Sequence, residues 1–254
     1  MARSIQSVQR AAAVLRLLAT GERSLGLSRI ASALGLAKAT THGLLRTLQE
    51  EGLVEQDPRS GAYRLGPELL RLGTGYLDTH ELRARALGAA AELARASGEE
   101  AYVGVPHRRG VLVVHHAPRP GDGRPGTEVG SMRPLHSTAL GKALAAFDPA
   151  ARAEALAAGL TAVTPRTVTD AAAFDEELAG VRGRGWACDV GETWEGVASV
   201  AAPVFGHRRV LVGAVGVAGA VERVLTGAEP HPRLVASVRD CARSVSHELG
   251  AGRF

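Results

Sequence analysis

The chain has 254 residues, of which 45% are hydrophobic, with two cysteines and a formal net charge of +4. This composition supplies the cores of two modest domains, and no apolar run approaches the roughly 18 residues that span a membrane. Cys188 and Cys241 are too few and too far apart for a disulfide framework or a C-x-x-C zinc site, so we expect a reducing, cytoplasmic setting and neither metal nor cofactor.

The positive charge is concentrated at the N-terminal end. Residues 1–48 contain seven Lys or Arg residues and one acidic residue, a net charge of +6, which leaves −2 for the rest of the chain. A basic N-terminal region followed by a mildly acidic remainder is expected where one end of a protein contacts the phosphates of a nucleic acid.

The first predicted elements form a helix-turn-helix. A helix over residues 7–19 carries apolar side chains at helical spacing, and Ser28 is predicted to cap a short second helix. Gly35 supplies the tight turn, and a third helix opens at or near Thr40 and ends near Gly52. Two short helices joined by a glycine-containing turn are the signature of this motif.

The next segment, LVEQDPRSGAYRLG, predicts a hairpin with its turn at residues 57–61. Three helices followed by a hairpin make a winged helix, which we assign to residues 1–66 and call the head. Pro67 then stands at the start of a helix that is predicted to link two domains over residues 67–80 and to serve as a dimer contact.

Residues 81–254 are predicted to form one α+β domain. A helix is followed by two strands that turn at residues 107–110, and a Pro/Gly-rich loop without helix or strand signals follows them. The segments GWACDV, GVASVAAPVF and VLVGAVGVAG predict further strands, between helices near 149–158 and 170–183 and a last helix near 232–249. Hairpins argue for an antiparallel sheet and against a doubly wound one.

Several phrases resemble the IclR family of bacterial transcription regulators along nearly the whole chain. In the head these are SVQRAAAVLRLLA, LSRIASALGLAKATTHGLLRTLQEEGLVEQD and GAYRLGPELLRLG; in the body they are PLHSTALGKALAAF, RTVTD, VRGRGWACDVGETWEGVASVAAPVF and AVGVAGAVER. The resemblance implies a head that binds double-stranded operator DNA, a GAF-like domain that binds a small effector, and a homodimer or tetramer. Within the family the likeness is to regulators of glycerol metabolism, which implies glycerol or glycerol 3-phosphate as the effector.

In helix-turn-helix proteins the second helix of the motif lies in the major groove. The candidate residues for contacts with bases or phosphates are Ser28, Lys38, Thr40, Thr41, His42, Arg46 and, in the wing, Arg64. Many relatives carry Arg at the position of Gly43, so their pattern of DNA contacts does not transfer to that position.

The segment PLHSTALGK places small and hydroxyl residues at a turn into a helix, where backbone N–H groups bind anions and carbonyls. By this argument Ser137, Thr138, Ala139 and Leu140 line one wall of an effector pocket, and the resemblance adds Asp189, Val197, Ser199, Gly216 and Ala218. Relatives that bind small oxoacids carry hydroxyls at the last two positions. A pocket without them, with Asp189 as an acceptor, suits a polyol better than a carboxylate, whereas a phosphate would be attracted by Lys142 or Arg133.

Two other classes of function remain open at this point. An enzyme fused to a winged helix needs a nucleophile, a base and an orienting group, for which His136, Cys188, Asp189 and Ser199 are candidates. No G-x-S-x-G or H-E-x-x-H spacing supports it, and a purely structural nucleoid protein conflicts with the elaborate C-terminal domain. We therefore expect a ligand-controlled DNA-binding regulator without catalytic residues; the sequence does not indicate whether it represses or activates.

Overall fold

A computed structural model describes residues 5–20, 22, 24–108, 110–121 and 128–252. Arg3 and Arg23, which contribute to the basic count, and much of the Pro/Gly-rich loop lie outside these ranges. The chain divides into two compact units, one ending at Thr79 and the other beginning at His80. No helix within the described ranges is long and apolar enough to cross a membrane.

The N-terminal unit is a winged helix, as the sequence predicts. Its elements are α1 (Gln6–Ala19), α2 (Leu27–Leu34), α3 (Lys38–Glu50), β1 (Val54–Gln56), β2 (Tyr63–Leu65) and α4 (Glu68–Asp78). The two strands pair antiparallel, and Leu25 adds a single bridge to Tyr63. The apolar core joins all of the elements before α4 and consists of Val14, Leu18, Leu25, Ile30, Leu45, Leu48, Val54 and Tyr63.

The turn between α2 and α3 depends on Gly35. Its backbone is left-handed, with φ 62° and ψ 33°, a conformation that glycine adopts without steric cost. The predicted cap of α2 needs correction, because the N-cap is Gly26 and Ser28 already lies inside the helix. The chain becomes helical before Ser28, so the side chain of Ser28 does not cap the free N–H groups of the first turn.

Helix α4 buries none of its side chains within its own unit. Leu70 is 75% exposed, Leu72 is 50% exposed and Tyr76 is 48% exposed. These side chains are therefore not part of the apolar core of the N-terminal unit.

The C-terminal unit is an α+β domain built on one antiparallel sheet, as predicted. Its elements are α5 (Glu81–Ser97), β3 (Glu100–His107), β4 (Gly110–Ala117), β5 (Met132–Pro134), α6 (Ala139–Phe147), α7 (Pro149–Ala158), α8 (Ala171–Arg184), β6 (Ala187–Val190), β7 (Val197–Phe205), β8 (Leu211–Ala220), α9 (Val221–Val224), β9 (Leu225–Thr226), β10 (Glu229–Pro230) and α10 (Pro232–Glu248). Six strands form the main sheet in the order β5-β4-β3-β8-β7-β6. The short β5 and α9 and the β9–β10 ladder carry too few residues for a periodic signal, and the sequence did not predict them.

Two groups of helices pack on this sheet. Helices α5 and α10 contact each other and strands β3, β7 and β8, while α6 contacts β6, β7, β8, α7 and α8. Residues Ala139 to Ala146 of α6 are all buried, so this helix is enclosed on every side. Its first turn points toward the sheet at the level of β6 and β7, and this arrangement positions the site described next.

Candidate DNA-binding and ligand-binding sites

Helix α3 presents an exposed basic stripe. Lys38, His42 and Arg46 are exposed and follow one another at intervals of four residues, which places them along one side of the helix. Thr40 and, on α2, Ser28 are also exposed. Five predicted DNA-contacting residues of the helix-turn-helix are thus on the surface of the head.

Thr41 requires a correction. Its side chain is fully buried, and its hydroxyl donates a hydrogen bond of 3.1 Å to the carbonyl oxygen of Ala37. Position 41 shares the inner side of α3 with Leu45 and Leu48 because residues three and four apart lie on one face. Thr41 therefore supports the start of α3 from inside the head and is not available to DNA.

Two arginines on the exposed surface of α3 and the wing are paired with glutamates that a phosphate can replace. Arg46 Nε lies 2.9 Å from Glu50 Oε1, and Arg64 Nη2, in the wing, lies 2.9 Å from Glu55 Oε2. All four side chains are more than 40% exposed, and pairs of this kind are worth little in water. Their guanidinium groups can therefore exchange a carboxylate for a DNA phosphate at small cost.

The tip of the wing is fixed by Asp57. Its carboxylate accepts the backbone N–H of Arg59 at 2.8 Å and that of Ser60 at 3.4 Å. These hydrogen bonds, that of Arg59 above all, hold the pKa of Asp57 below its ordinary value. Gly61 closes the turn in the left-handed conformation, with φ 68°.

In the C-terminal unit, a cavity of about 350 Å³ opens between the first turn of α6 and the sheet. Its lining includes these predicted effector residues: Thr138, Ala139, Leu140, Asp189, Val197, Ser199, Gly216 and Ala218. Ser137 is the exception and a correction. It is fully buried and its hydroxyl lies 2.8 Å from Thr193 Oγ1, so it ties the entry of α6 to the 191–193 segment behind the cavity.

Asp189 and Ser199 form a polar pair in the cavity wall. They stand opposite each other on β6 and β7, and Ser199 Oγ donates to Asp189 Oδ2 at 3.0 Å. The backbone N–H of Glu192 donates to Asp189 Oδ1 at 2.8 Å. Burial nevertheless raises the pKa of Asp189 above its ordinary value, which is typical of a carboxyl group taken out of bulk water.

The first turn of α6 lines the same cavity, and the N–H of Ala139 donates to Ser199 Oγ at 3.4 Å. Thr138 is the N-cap, and its hydroxyl accepts the N–H of Gly141 at 3.1 Å and donates to the carbonyl oxygen of Pro134 at 2.7 Å. With its hydroxyl occupied in this way, Thr138 orients the helix rather than a ligand. What α6 offers the cavity is the partial positive charge of its first turn.

The cavity wall formed by β8 has no room for a side chain at position 216, which explains the glycine there. A Cβ atom at this position would lie 2.5 Å from the carbonyl oxygen of Val200 and 2.7 Å from Ala201 Cβ. Without a shift of the strands, β7 leaves no room there for the hydroxyl-bearing side chain of the relatives that bind oxoacids. The wall at Gly216 and Ala218 is apolar, as the sequence indicates.

Several charged and aromatic residues of the lining were missed in the sequence. They are Glu99, Glu100, Tyr102, Arg119, Glu128 and Arg223, and they line the cavity together with Arg133 and Trp194. One signal was available for two of them, because Glu100 and Tyr102 are two residues apart on a strand and therefore share a face. The structure places Tyr102 opposite Gly216 and so on the cavity side of the sheet.

Lys142 is not a ligand-binding cation. It is 0% exposed, and its ammonium group lies 2.7 Å from Glu177 Oε1, 2.5 Å from Glu192 Oε1 and 3.3 Å from the carbonyl oxygen of Cys188. Burial raises the pKa of Glu192 to about 7, and its second carboxylate oxygen is buried and has no hydrogen-bond partner among the described residues. This buried cluster lies behind the segment that carries Asp189 and corrects the expectation that Lys142 attracts a phosphate.

The candidate catalytic groups are not assembled. Asp189 and Ser199 line the cavity, but His136 does not, and its Nε2 instead lies 3.0 Å from the carbonyl oxygen of Thr161. Burial raises the pKa of Cys188 to about 12, so its thiol is protonated near neutral pH and is a poor nucleophile.

A winged-helix head joined to a domain with a ligand-sized cavity defines a ligand-responsive DNA-binding regulator. Residues 7–58 match the IclR helix-turn-helix domain, and residues 74–247 match the domain described as bacterial transcriptional regulator IclR C-terminal. The chain belongs to the IclR family of bacterial transcriptional regulators.

Curated relatives extend over its full length. The chain is 63% identical over 254 residues, all of both chains, to the glycerol operon regulatory protein of Streptomyces coelicolor and equally to that of Streptomyces griseus. A crystal structure of an IclR transcriptional regulator from Alicyclobacillus acidocaldarius matches with a TM-score of 0.84 and 34% identity, over 98% of this chain and 100% of that one. These relatives are regulators of transcription, which decides against the enzyme alternative.

Proposed function

We propose that this protein regulates a glycerol catabolic operon and that glycerol or glycerol 3-phosphate is its effector. The observation that carries the proposal is the 63% identity, over 254 residues of both chains, to two proteins named glycerol operon regulatory protein. The cavity supports it, because a carboxyl–hydroxyl pair and the first turn of a helix offer partners to hydroxyl and anionic groups alike.

The head binds operator DNA with α3 in the major groove. Lys38, Thr40 and His42 stand at the beginning of that helix, where winged helices approach base edges, and Arg46 follows one turn later. Ser28 on α2 and Arg64 in the wing contact the phosphate backbone. Thr41 takes no part, since it is buried.

The functional division follows the sequence: residues 1–66 bind DNA, 67–80 link, and 81–254 bind the effector. The apolar residues exposed on α4 are covered by a second copy of the chain in a homodimer or tetramer. A dimer presents two α3 helices to two half-sites, which is the usual geometry of helix-turn-helix proteins. The effector acts by binding one arrangement of the heads more tightly than the other.

The test is binding of the purified protein to DNA from upstream of its own and neighbouring genes, followed by fluorescence anisotropy. Titrations are run at two salt concentrations, each with and without glycerol and glycerol 3-phosphate. We expect sequence-specific binding that weakens with salt and that one of the two ligands changes. Lys38→Ala should weaken it, while Arg95→Ala, which removes an equal charge from α5, should not.

The outcomes separate the parts of the proposal. Specific binding that neither ligand changes would retain the DNA-binding function and remove both effectors. Absence of specific binding at either salt concentration would overturn the proposal as a whole.

A further inference from the structure

Among the described residues, three arginines line the ligand cavity, and two of them make contacts that an anion does not readily displace. Arg223 forms a bidentate pair with Glu99, at 2.6 and 2.8 Å, and the Glu99 side chain is only 4% exposed. Displacing Glu99 would leave a buried carboxylate without its counterion, which is costly. Arg119 donates through Nε to the carbonyl oxygen of Gly98 at 3.0 Å, a backbone group that stays in place.

Arg133 has an exchangeable partner. It is paired with Glu128, whose side chain is 37% exposed, while the Arg133 side chain is 17% exposed. A carboxylate this accessible is hydrated when it leaves its partner, so the pair is opened at little cost. Arg133 can therefore exchange its protein carboxylate for another anion.

Two aromatic rings hold the Arg133 guanidinium in place independently of Glu128. Its central carbon lies 4.5 Å from the ring centroid of Trp194 and 5.9 Å from that of Tyr102. Cation–π contacts of this kind fix the plane of the guanidinium, and its fork of N–H groups matches two oxygens of a phosphate or carboxylate. The donor is thus preorganised before an anion arrives.

We propose that Arg133 determines the specificity of the cavity by binding the anionic group of the effector in exchange for Glu128. The inference rests on the proposed function, in which this cavity is the effector site. Arg133 receives the anion, while Asp189 and Ser199 on the β6–β7 side of the same cavity bond hydroxyl groups. The ligand class is a small polyol phosphate, so that of the two candidate effectors glycerol 3-phosphate binds more tightly than glycerol.

If the effector anion replaces Glu128 on Arg133, one prediction follows that an ion pair with a purely structural role would not make. Removing Arg133 removes the anion's partner, whereas removing Glu128 removes its competitor. The two substitutions therefore change affinity for the anionic ligand in opposite directions. If the pair only stabilised the fold of the cavity, both substitutions would change affinity in the same direction.

Isothermal titration calorimetry on the full chain tests this with glycerol 3-phosphate and glycerol as ligands. Arg133→Gln should lower affinity for glycerol 3-phosphate about 10- to 100-fold, the worth of a hydrogen bond to a charged group, and leave glycerol unchanged. Glu128→Gln should raise affinity for glycerol 3-phosphate about two- to fivefold, the worth of an ion pair whose carboxylate is accessible to water. Arg152→Gln, which breaks an Arg–Asp pair outside this cavity lining, should change neither.

Each outcome has one meaning. Preference for glycerol, loss of affinity in Glu128→Gln, or an unchanged preference in Arg133→Gln would overturn the inference and leave the proposed function standing. Binding of neither ligand by the unsubstituted protein would overturn both. If Arg133→Gln does not fold, the direction of the change in Glu128→Gln still decides.

Discussion

Replacing Glu192 by Gln should change how the stability of the C-terminal unit depends on pH. Glu192 is 8% exposed, and one of its carboxylate oxygens has no hydrogen-bond partner in the part of the chain that the structure describes. The other oxygen shares Lys142 with Glu177. One ammonium group cannot fully compensate two carboxylates, and Asp189 adds a third nearby. Burial consequently raises the pKa of Glu192 from 4.5 to about 7.

The sign and size of the effect follow from proton linkage. The folded state holds a proton on Glu192 up to about pH 7, whereas the unfolded chain releases it near 4.5. The stability associated with that proton is fully present below 4.5 and is lost as the pH rises through about 7. The difference between a pKa of 4.5 and one of about 7 corresponds to about 3 kcal/mol, and Gln does not titrate.

The assay is urea unfolding followed by tryptophan fluorescence at several pH values. Both tryptophans, Trp186 and Trp194, belong to the C-terminal unit, so the signal reports on that unit alone. The free energy of unfolding of Glu192→Gln, minus that of the unsubstituted protein, should rise by about 3 kcal/mol between about pH 4.5 and 7.5. Taking this difference cancels titrations common to both proteins.

Glu177→Gln is the matched control for Glu192→Gln. It removes the other carboxylate bound to Lys142, at 2.7 Å, but one whose side chain is 23% exposed. This variant should keep most of the pH dependence of the unsubstituted protein. A difference for Glu192→Gln that is flat or falls with pH would refute the reasoning, because it would mean that Glu192 stays ionised in the fold.

Three further predictions concern other parts of the chain. Arg223→Met should lower the free energy of unfolding by about 3 kcal/mol in urea titrations, because it leaves the buried carboxylate of Glu99 unpaired, and adding Glu99→Gln should recover most of the loss. Gly35→Ala should destabilise the head by about 1 kcal/mol because its φ is 62°, whereas Gly43→Ala, inside α3 with open space at its Cβ, should stabilise it by a similar amount. Hydrogen exchange of head amides in the full chain measures both, and equal effects would contradict this account. Arg64→Ala should reduce the slope of log affinity for DNA against log salt by about 1, and an unchanged slope would exclude Arg64 as a phosphate contact.

The head was largely predictable because its signals are local. The left-handed turn at Gly35 and the Asp57 turn of the wing are decided by a few consecutive residues, and each agrees with the helix periods around it. The error at Ser28 has a local cause as well. A serine near a helix start resembles a cap, but the backbone turns helical immediately after Gly26, one residue before Ser28.

The cavity was predictable only in part, because its charged residues meet through long-range contacts. Glu99 and Arg223 are 124 residues apart in the sequence. Nothing in either segment indicates that α9, which follows β8, lies next to the residues that follow α5. Tyr102 faces the cavity because β3 pairs with β8, and that pairing belongs to the sheet order. The resemblance supplied the wall at Asp189 and Ser199, but not Arg119 and Arg223 of the same lining.

Lys142 shows why burial changes the role of a residue. A lysine is almost always exposed, which favours the expectation that it reaches a ligand. Because α6 is enclosed on every side, the ammonium group of Lys142 binds the carboxylate of Glu192 instead of a ligand. The backbone N–H of Glu192 in turn holds Asp189 in the cavity wall. The charge of the Glu192 side chain and the position of the Asp189 carboxylate are therefore linked, because both depend on the conformation of the backbone from residue 189 to residue 192. Glu192→Gln should alter effector affinity together with the pH dependence, whereas Glu177→Gln, which contacts Lys142 from α8, should leave affinity close to that of the unsubstituted protein.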